Sequence, residues 1–131
     1  MNEDLNGRVK EALARTDIMA LSTIGSDGPW TSPVQFHYNE KLELFFLSMP
    51  GTRHVRNILS DPRVSVAIYS HPGPPGGNLG LQISGAAQHL SEESSPGGWQ
   101  SFRIIPREIW CFDSRAFGTE RRQVDITDLR L

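Results

Sequence analysis

The sequence predicts a mainly β fold: a small, closed or nearly closed antiparallel barrel of six or seven strands with two or three peripheral helices. Three observations carry this. Trp30–Tyr38 alternates with a period of two, Val34 and Phe36 on one face and Gln35 and His37 on the other. Leu79–Leu90 alternates in the same way, with Leu81, Ile83, Gly85 and Ala87 opposite Gly80, Gln82, Ser84 and Ala86. Further apolar runs of strand length are joined by short turn sequences, as in an antiparallel meander.

Taken in order, Leu5, Val9, Ala12 and Leu13 recur at helical spacing and predict an amphipathic helix over roughly 3–15. Ile18–Ile24 is an apolar run followed by the turn Gly25-Ser26-Asp27-Gly28. The alternating strand Trp30–Tyr38 turns at Asn39-Glu40-Lys41 into the hydrophobic strand Leu42–Met49. Thr52–Ser60 reads as a short helix, with Thr52 as an N-cap whose hydroxyl accepts from the first turn and Val55, Ile58 and Leu59 facing inward. Asp61-Pro62 ends it, because a proline disfavours helical backbone in the residue before it. Arg63–Tyr69 is the next strand, and the Pro- and Gly-rich stretch His71–Asn78 is a loop. After Leu79–Leu90 comes a polar connector, Ser91–Gly98, and then the strands Phe102–Asp113 and Arg122–Thr127.

The chain has 131 residues, which suits one domain spanning 1–131. A hydrophobic fraction of 37% before glycine is counted is enough to form a core. The mean hydropathy is −0.36, and no apolar run approaches the ~18 residues of a membrane helix. The N-terminal Met1-Asn2-Glu3-Asp4 is acidic and lacks the apolar stretch of a secretory signal, and the single Cys111 allows no internal disulfide. A cytoplasmic location without membrane attachment is therefore expected. A net charge of −2 argues against a basic nucleic-acid binder, and Trp30, Trp99 and Trp110 are too scattered to make a stacking platform. His37, His54, His71 and His89 form no short-spaced pair, so no metal site is expected. No Ser or Cys nucleophile with a histidine partner is evident, and catalytic residues stay unassigned.

Two places could carry chemistry. In Ser48-Met49-Pro50-Gly51-Thr52-Arg53-His54 a strand ends, the chain turns and a helix begins. The helix N–H groups, the positive end of its dipole and the Arg53 fork make an anion site suited to a phosphate ester. The same spacing also fits an ordinary capped surface helix with a solvated arginine. Gln35 and His37 share a polar strand face, as do Gly80, Gln82 and Ser84. Each face could line a ligand at a subunit boundary or simply be wet.

Several blocks resemble the pyridoxamine 5′-phosphate oxidase-like flavoproteins. They are Ala20-Leu21-Ser22-Thr23-Ile24, Asp27-Gly28-Pro29, Ser32-Pro33-Val34-Gln35-Phe36, Leu44-Phe45-Phe46 and Pro50-Gly51-Thr52-Arg53. Arg56-Asn57-Ile58-Leu59-Ser60-Asp61-Pro62-Arg63-Val64 is the most specific of them, and Leu81-Gln82-Ile83-Ser84-Gly85-Ala86-Ala87 also fits. Trp99-Gln100-Ser101-Phe102-Arg103 and Ile109-Trp110-Cys111-Phe112 complete a resemblance covering roughly 12–125. It implies an antiparallel split β-barrel of the FMN-binding type, a homodimer, and FMN in clefts at the dimer boundary. By position, Ser32, Pro33, Val34, Gln35 and His37 would border the isoalloxazine ring. Leu47 and Ser48 would follow the ribityl chain, Thr52, Arg53 and His54 would grip the phosphate, and Gln82 counts as a further cofactor contact.

The chain also departs from the family pattern. His54 stands where the oxidases carry a second cation, and Gly118 and Glu120 stand where they carry a substrate-binding Arg and His. Asp128-Leu129-Arg130-Leu131 does not reproduce their terminal signature. These differences argue against pyridoxamine phosphate itself as substrate. The function expected from the sequence is an FMN-dependent oxidoreductase acting on a small-molecule redox substrate or electron donor. The alternatives are the same fold with a deazaflavin coenzyme or haem, and a flavin-binding module without turnover, such as a sensor.

Overall fold

The structure is a computed structural model that describes residues 2–71, 77–90 and 97–131. Most of the expected loop His71–Asn78 and of the connector Ser91–Gly98 lies outside the described residues. Helix α1 (Asn2–Ala14) leads into the hairpin β1 (Ile18–Gly25) and β2 (Gly28–Gln35), the short β3 (His37–Tyr38) and β4 (Leu44–Ser48). Helix α2 (Arg53–Ser60) precedes β5 (Arg63–Ser70), β6 (Leu79–His89) and the long β7 (Gln100–Asp113). A helical turn, α3 (Ser114–Phe117), β8 (Arg121–Val124) and a final 3₁₀ turn at Ile126–Asp128 complete the chain.

The strands form one antiparallel sheet in the order β2-β1-β5-β6-β7-β4-β3, with β8 added to β7. Its two ends, β2 and β3, are consecutive in the chain and separated by Phe36 alone. The sheet therefore curls until its edges meet on one stretch of backbone, a split barrel. The inward faces carry Met19, Leu21, Phe46, Ile68, Leu81, Phe102, Ile104 and Ile109, all essentially sealed from solvent. The Phe46 and Phe102 rings stack at 5.1 Å between β4 and β7. Val9, Ala12 and Leu13 of α1 join the same core, as periodicity predicts. Val34, Phe36, Leu81 and Ile83 are buried, in agreement with the period-two reading of both strands.

Several boundaries differ from the sequence expectation. Trp30–Tyr38 is two strands, because the chain passes from one sheet edge to the other at Phe36, whose N–H donates to Asp17 O at 2.8 Å. Trp30 and Tyr38 are exposed, beyond the core end of the pattern. Strand β4 begins at Leu44 because Leu42 has φ 59°, the left-handed region. Asn39 organises that turn, its Oδ1 accepting from the N–H groups of Lys41 and Glu43. On α2 the inward stripe is Val55, Asn57 and Ile58, while Leu59 is exposed. The last strand stops at Val124, where the Asp125 carboxylate accepts from Thr127 N and turns the chain.

Candidate functional site

The meeting of the two sheet edges creates a concavity. One wall is the end of β2 with Phe36 and His37, and the other is the end of β4 with the turn into α2. The space is about 560 Å³, within the range of small-molecule sites. Apolar surface comes from Pro33, Val34, Phe36, Phe46, Leu47 and Met49, and polar groups from Gln35, His37, Ser48, Thr52 and His54. Trp99 completes the lining at the exposed rim.

The residues that grip an anion in the sequence reading sit at the start of α2. Gly51, at φ 86°, makes the turn from Pro50 into the helix. Thr52 is the N-cap residue, but its hydroxyl does not cap the helix. It donates backwards to Met49 O at 3.0 Å. No side chain accepts from the first turn and no acidic residue lies in it, so the N–H groups of that turn keep their donor capacity beside the cavity. Ser48 Oγ and His54 Nε2 are 2.7 Å apart across the turn. Partial burial holds the His54 imidazole below its ordinary titration range, so the ring is neutral at pH 7.

Arg53 differs from its neighbours. Its guanidinium lies over the Trp30 indole at 4.2 Å from the ring centroid and does not line the cavity. One turn further on, Asn57 Nδ2 donates to Thr23 Oγ1 at 3.0 Å. Arg53 and Asn57, four apart on one helix face, thus fasten α2 to the β1–β2 hairpin. Gly25 permits this fit, since a Cβ there would lie 2.1 Å from Asn57 Oδ1.

Of the sequence-predicted residues, Pro33, Val34, Gln35, His37, Leu47, Ser48, Thr52 and His54 come together in this cavity. Gln35 is also tied to Asp17, donating to its carboxylate at 2.7 Å, and the His37 ring stacks near Phe45. Ser32 is half-buried on β2 opposite Leu21 and does not line the space. Gln82 is not brought here within one chain. It lies on the outer face of β6, in a shallower concavity with Ser22, Ser65, Ser84 and Trp110, and accepts from Arg121 Nε at 3.1 Å. Sequence reasoning missed Phe46, Met49 and Trp99. Trp99 arrives through long-range pairing: Gln100 is opposite Ser48 in the β4–β7 ladder, which sets its neighbour beside the turn.

Cys111 is fully buried, and burial together with Asp113 pushes its thiol up to about 11, so it is no nucleophile. Among the described residues, no cluster of three or more His, Cys, Asp or Glu is placed to hold a metal, and no helix is long and apolar enough to cross a membrane.

The model of the pyridoxamine 5′-phosphate oxidase family matches residues 5–120. The chain belongs to this family. No curated protein matches it. Among solved structures, a haem-binding protein from Mycobacterium smegmatis superposes with a TM-score of 0.72 at 16% identity, over 93% of this chain and 57% of that one. An FAD-binding protein from Mesorhizobium loti gives 0.64 at 19% identity, covering 76% of this chain and 86% of its own. HutZ, the haem storage protein of Vibrio cholerae, gives 0.65 at 19% identity, covering 76% and 89%. At these identities the likeness is one of fold: members of the pyridoxamine 5′-phosphate oxidase family and these proteins share the split barrel.

Proposed function

We propose that this family member binds FMN in the concavity between β2 and β4 and acts as a small-molecule oxidoreductase. The observation that carries the proposal is the uncapped start of α2 opening onto an apolar-walled space of suitable size. The helix N–H groups are donors for a phosphate monoester, and the Ser48–His54 pair, which shares one hydrogen internally, has one more to give, with the Arg53 cation beside them. Phe36, Phe46 and Leu47 supply apolar surface for a ring system, and Gln35 and His37 supply polar groups at its edge. Bound FMN would supply hydride and single-electron chemistry, the protein supplying position and electrostatics. His37 is the polar side chain at the lip that could exchange a proton with a substrate.

The proposal includes a homodimer. The cavity is open on one side, where Leu47, Met49 and Trp99 are exposed. The outer face of β1, β5 and β6 carries mostly small side chains, with Ser22, Ser65 and Ser84 aligned in one cross-strand row and Ala20, Ala67 and Gln82 in the next. Ile18 and Tyr69 are exposed on the same strands. A second copy laid on such a face would bring Gln82 to its partner's cavity, and a two-fold arrangement satisfies both copies at once.

Native mass spectrometry of protein purified without added flavin tests both parts. A dimer carrying two noncovalent FMN masses is expected, with a two-band yellow spectrum. A monomer without flavin would overturn the proposal. A Soret band would favour haem instead, for which the exposed His37 imidazole at the cavity lip is the available ligand.

A further inference from the structure

We propose that Trp30 is a positioning residue that holds Arg53 for phosphate recognition. The inference rests on the FMN reading and extends it to a residue outside the cavity. Arg53 begins α2, beside the uncapped turn, and no carboxylate among the described residues pairs with it. Its partner among the described residues is the face of the Trp30 indole, whose centroid is 4.2 Å from the guanidinium carbon. A guanidinium stacked on an aromatic face keeps its N–H donors at its edge, in its own plane. Stacking therefore fixes the side chain without using the donors that a phosphate requires. An acidic partner would have restrained Arg53 equally well but would have consumed those donors and cancelled the charge.

Trp30 is itself held. It is opposite Thr23 in the β1–β2 ladder, and its carbonyl accepts from the Thr23 hydroxyl, which in turn accepts from Asn57 on α2. The indole is about two-fifths exposed, so it contributes little to the core. An exposed tryptophan on an edge strand has no packing reason to be there. Its place over the Arg53 guanidinium at the helix start is the reason the geometry supplies, while the second cation of that turn, Arg56, donates to the Gly51 carbonyl. Holding Arg53 in one rotamer before the ligand arrives lowers the ordering cost of binding, and the benefit falls only on ligands that carry the phosphate.

The test is titration of FMN and riboflavin, followed by flavin fluorescence so that loss of an indole does not alter the signal. The proteins are the parent, W30A, W30F, R53A and the double variant W30A/R53A. FMN affinity is expected to fall roughly 2- to 30-fold in W30A. Riboflavin affinity should be unchanged, W30F should keep most of the FMN affinity, and W30A should add nothing in the R53A background. Equal losses for both ligands, no FMN loss in W30A while R53A shows one, or a further loss in the double variant would each overturn the positioning role. If R53A itself fails to separate FMN from riboflavin, the phosphate reading falls, and this inference with it.

Discussion

Ser48 Oγ and His54 Nε2 lie 2.7 Å apart, one at the end of β4 and the other in the first turn of α2. The pair bridges the turn that the cavity opens onto. A neutral ring here shares a hydrogen bond with a buried hydroxyl.

That pairing has a pH consequence for stability. Burial lowers the His54 pKa in the folded chain below its ordinary 6.5. Above that value the ring is neutral in both states and contributes nothing to the pH dependence. As pH falls through ~6.5 the unfolded chain takes up a proton that the folded one refuses, so stability declines until the folded group also titrates. Denaturant midpoints of the parent should drop over this range more than those of His54→Gln.

FMN affinity should follow the opposite sign. A protonated His54 adds a positive charge beside the phosphate, so affinity attributable to it rises as pH falls. The rise levels off only below pH ~6.5, where the ligand-free ring titrates. The phosphate's own second ionisation acts in both proteins, and subtracting the His54→Gln profile removes it. A flat difference between the two profiles would exclude His54 from the phosphate site.

Arg53→Ala should weaken FMN by roughly 10- to 150-fold, since a charge-assisted hydrogen bond is worth about 1.5–3 kcal/mol. Riboflavin should be nearly indifferent. Loss of both ligands to the same extent would place the phosphate elsewhere.

Gly25→Ala sets a Cβ against the Asn57 amide and forces it from Thr23. Leaving buried polar groups unpaired costs about 1–3 kcal/mol. Adding Asn57→Ala should then cost less than it does in the parent, a non-additivity measurable by urea unfolding of all four proteins. Strict additivity would mean that the two sites do not interact.

Phe46→Ala removes one ring of the Phe46–Phe102 stack from a sealed core. A destabilisation of about 3–5 kcal/mol is expected. A thermal midpoint within a degree or two of the parent would mean that β4 and β7 do not pack as described.

The fold was legible wherever one strand face is apolar and the other is not. Val34, Phe36, Leu81 and Ile83 declare their face by alternation alone. Leu42 misleads because its burial comes from a left-handed turn rather than from strand pleating. Thr52 was legible in place but not in action: a hydroxyl that can accept from the helix can also donate to Met49 O, and composition cannot choose between them. Most of the cavity was legible because its residues come from two short stretches, 33–37 and 46–54. Trp99 and the Trp30–Arg53 stack were not, since each depends on which distant strand or helix lies alongside. Gln82 belongs to an outer face, and its relation to the cavity needs a second chain that the sequence pattern does not position.

Strand β2 is an open edge of the sheet and carries Pro29 and Pro33 within an unbroken β1–β2 ladder. Neither has an N–H to give, so both must turn their ring nitrogens away from β1, along with residues 31 and 35. Half of the donors that a foreign strand would need on that rim are therefore missing. Such a rim resists templated stacking into fibrils while leaving the broad faces of the sheet free to associate. Concentrated solutions of this protein should accordingly resist growth strand by strand from that rim.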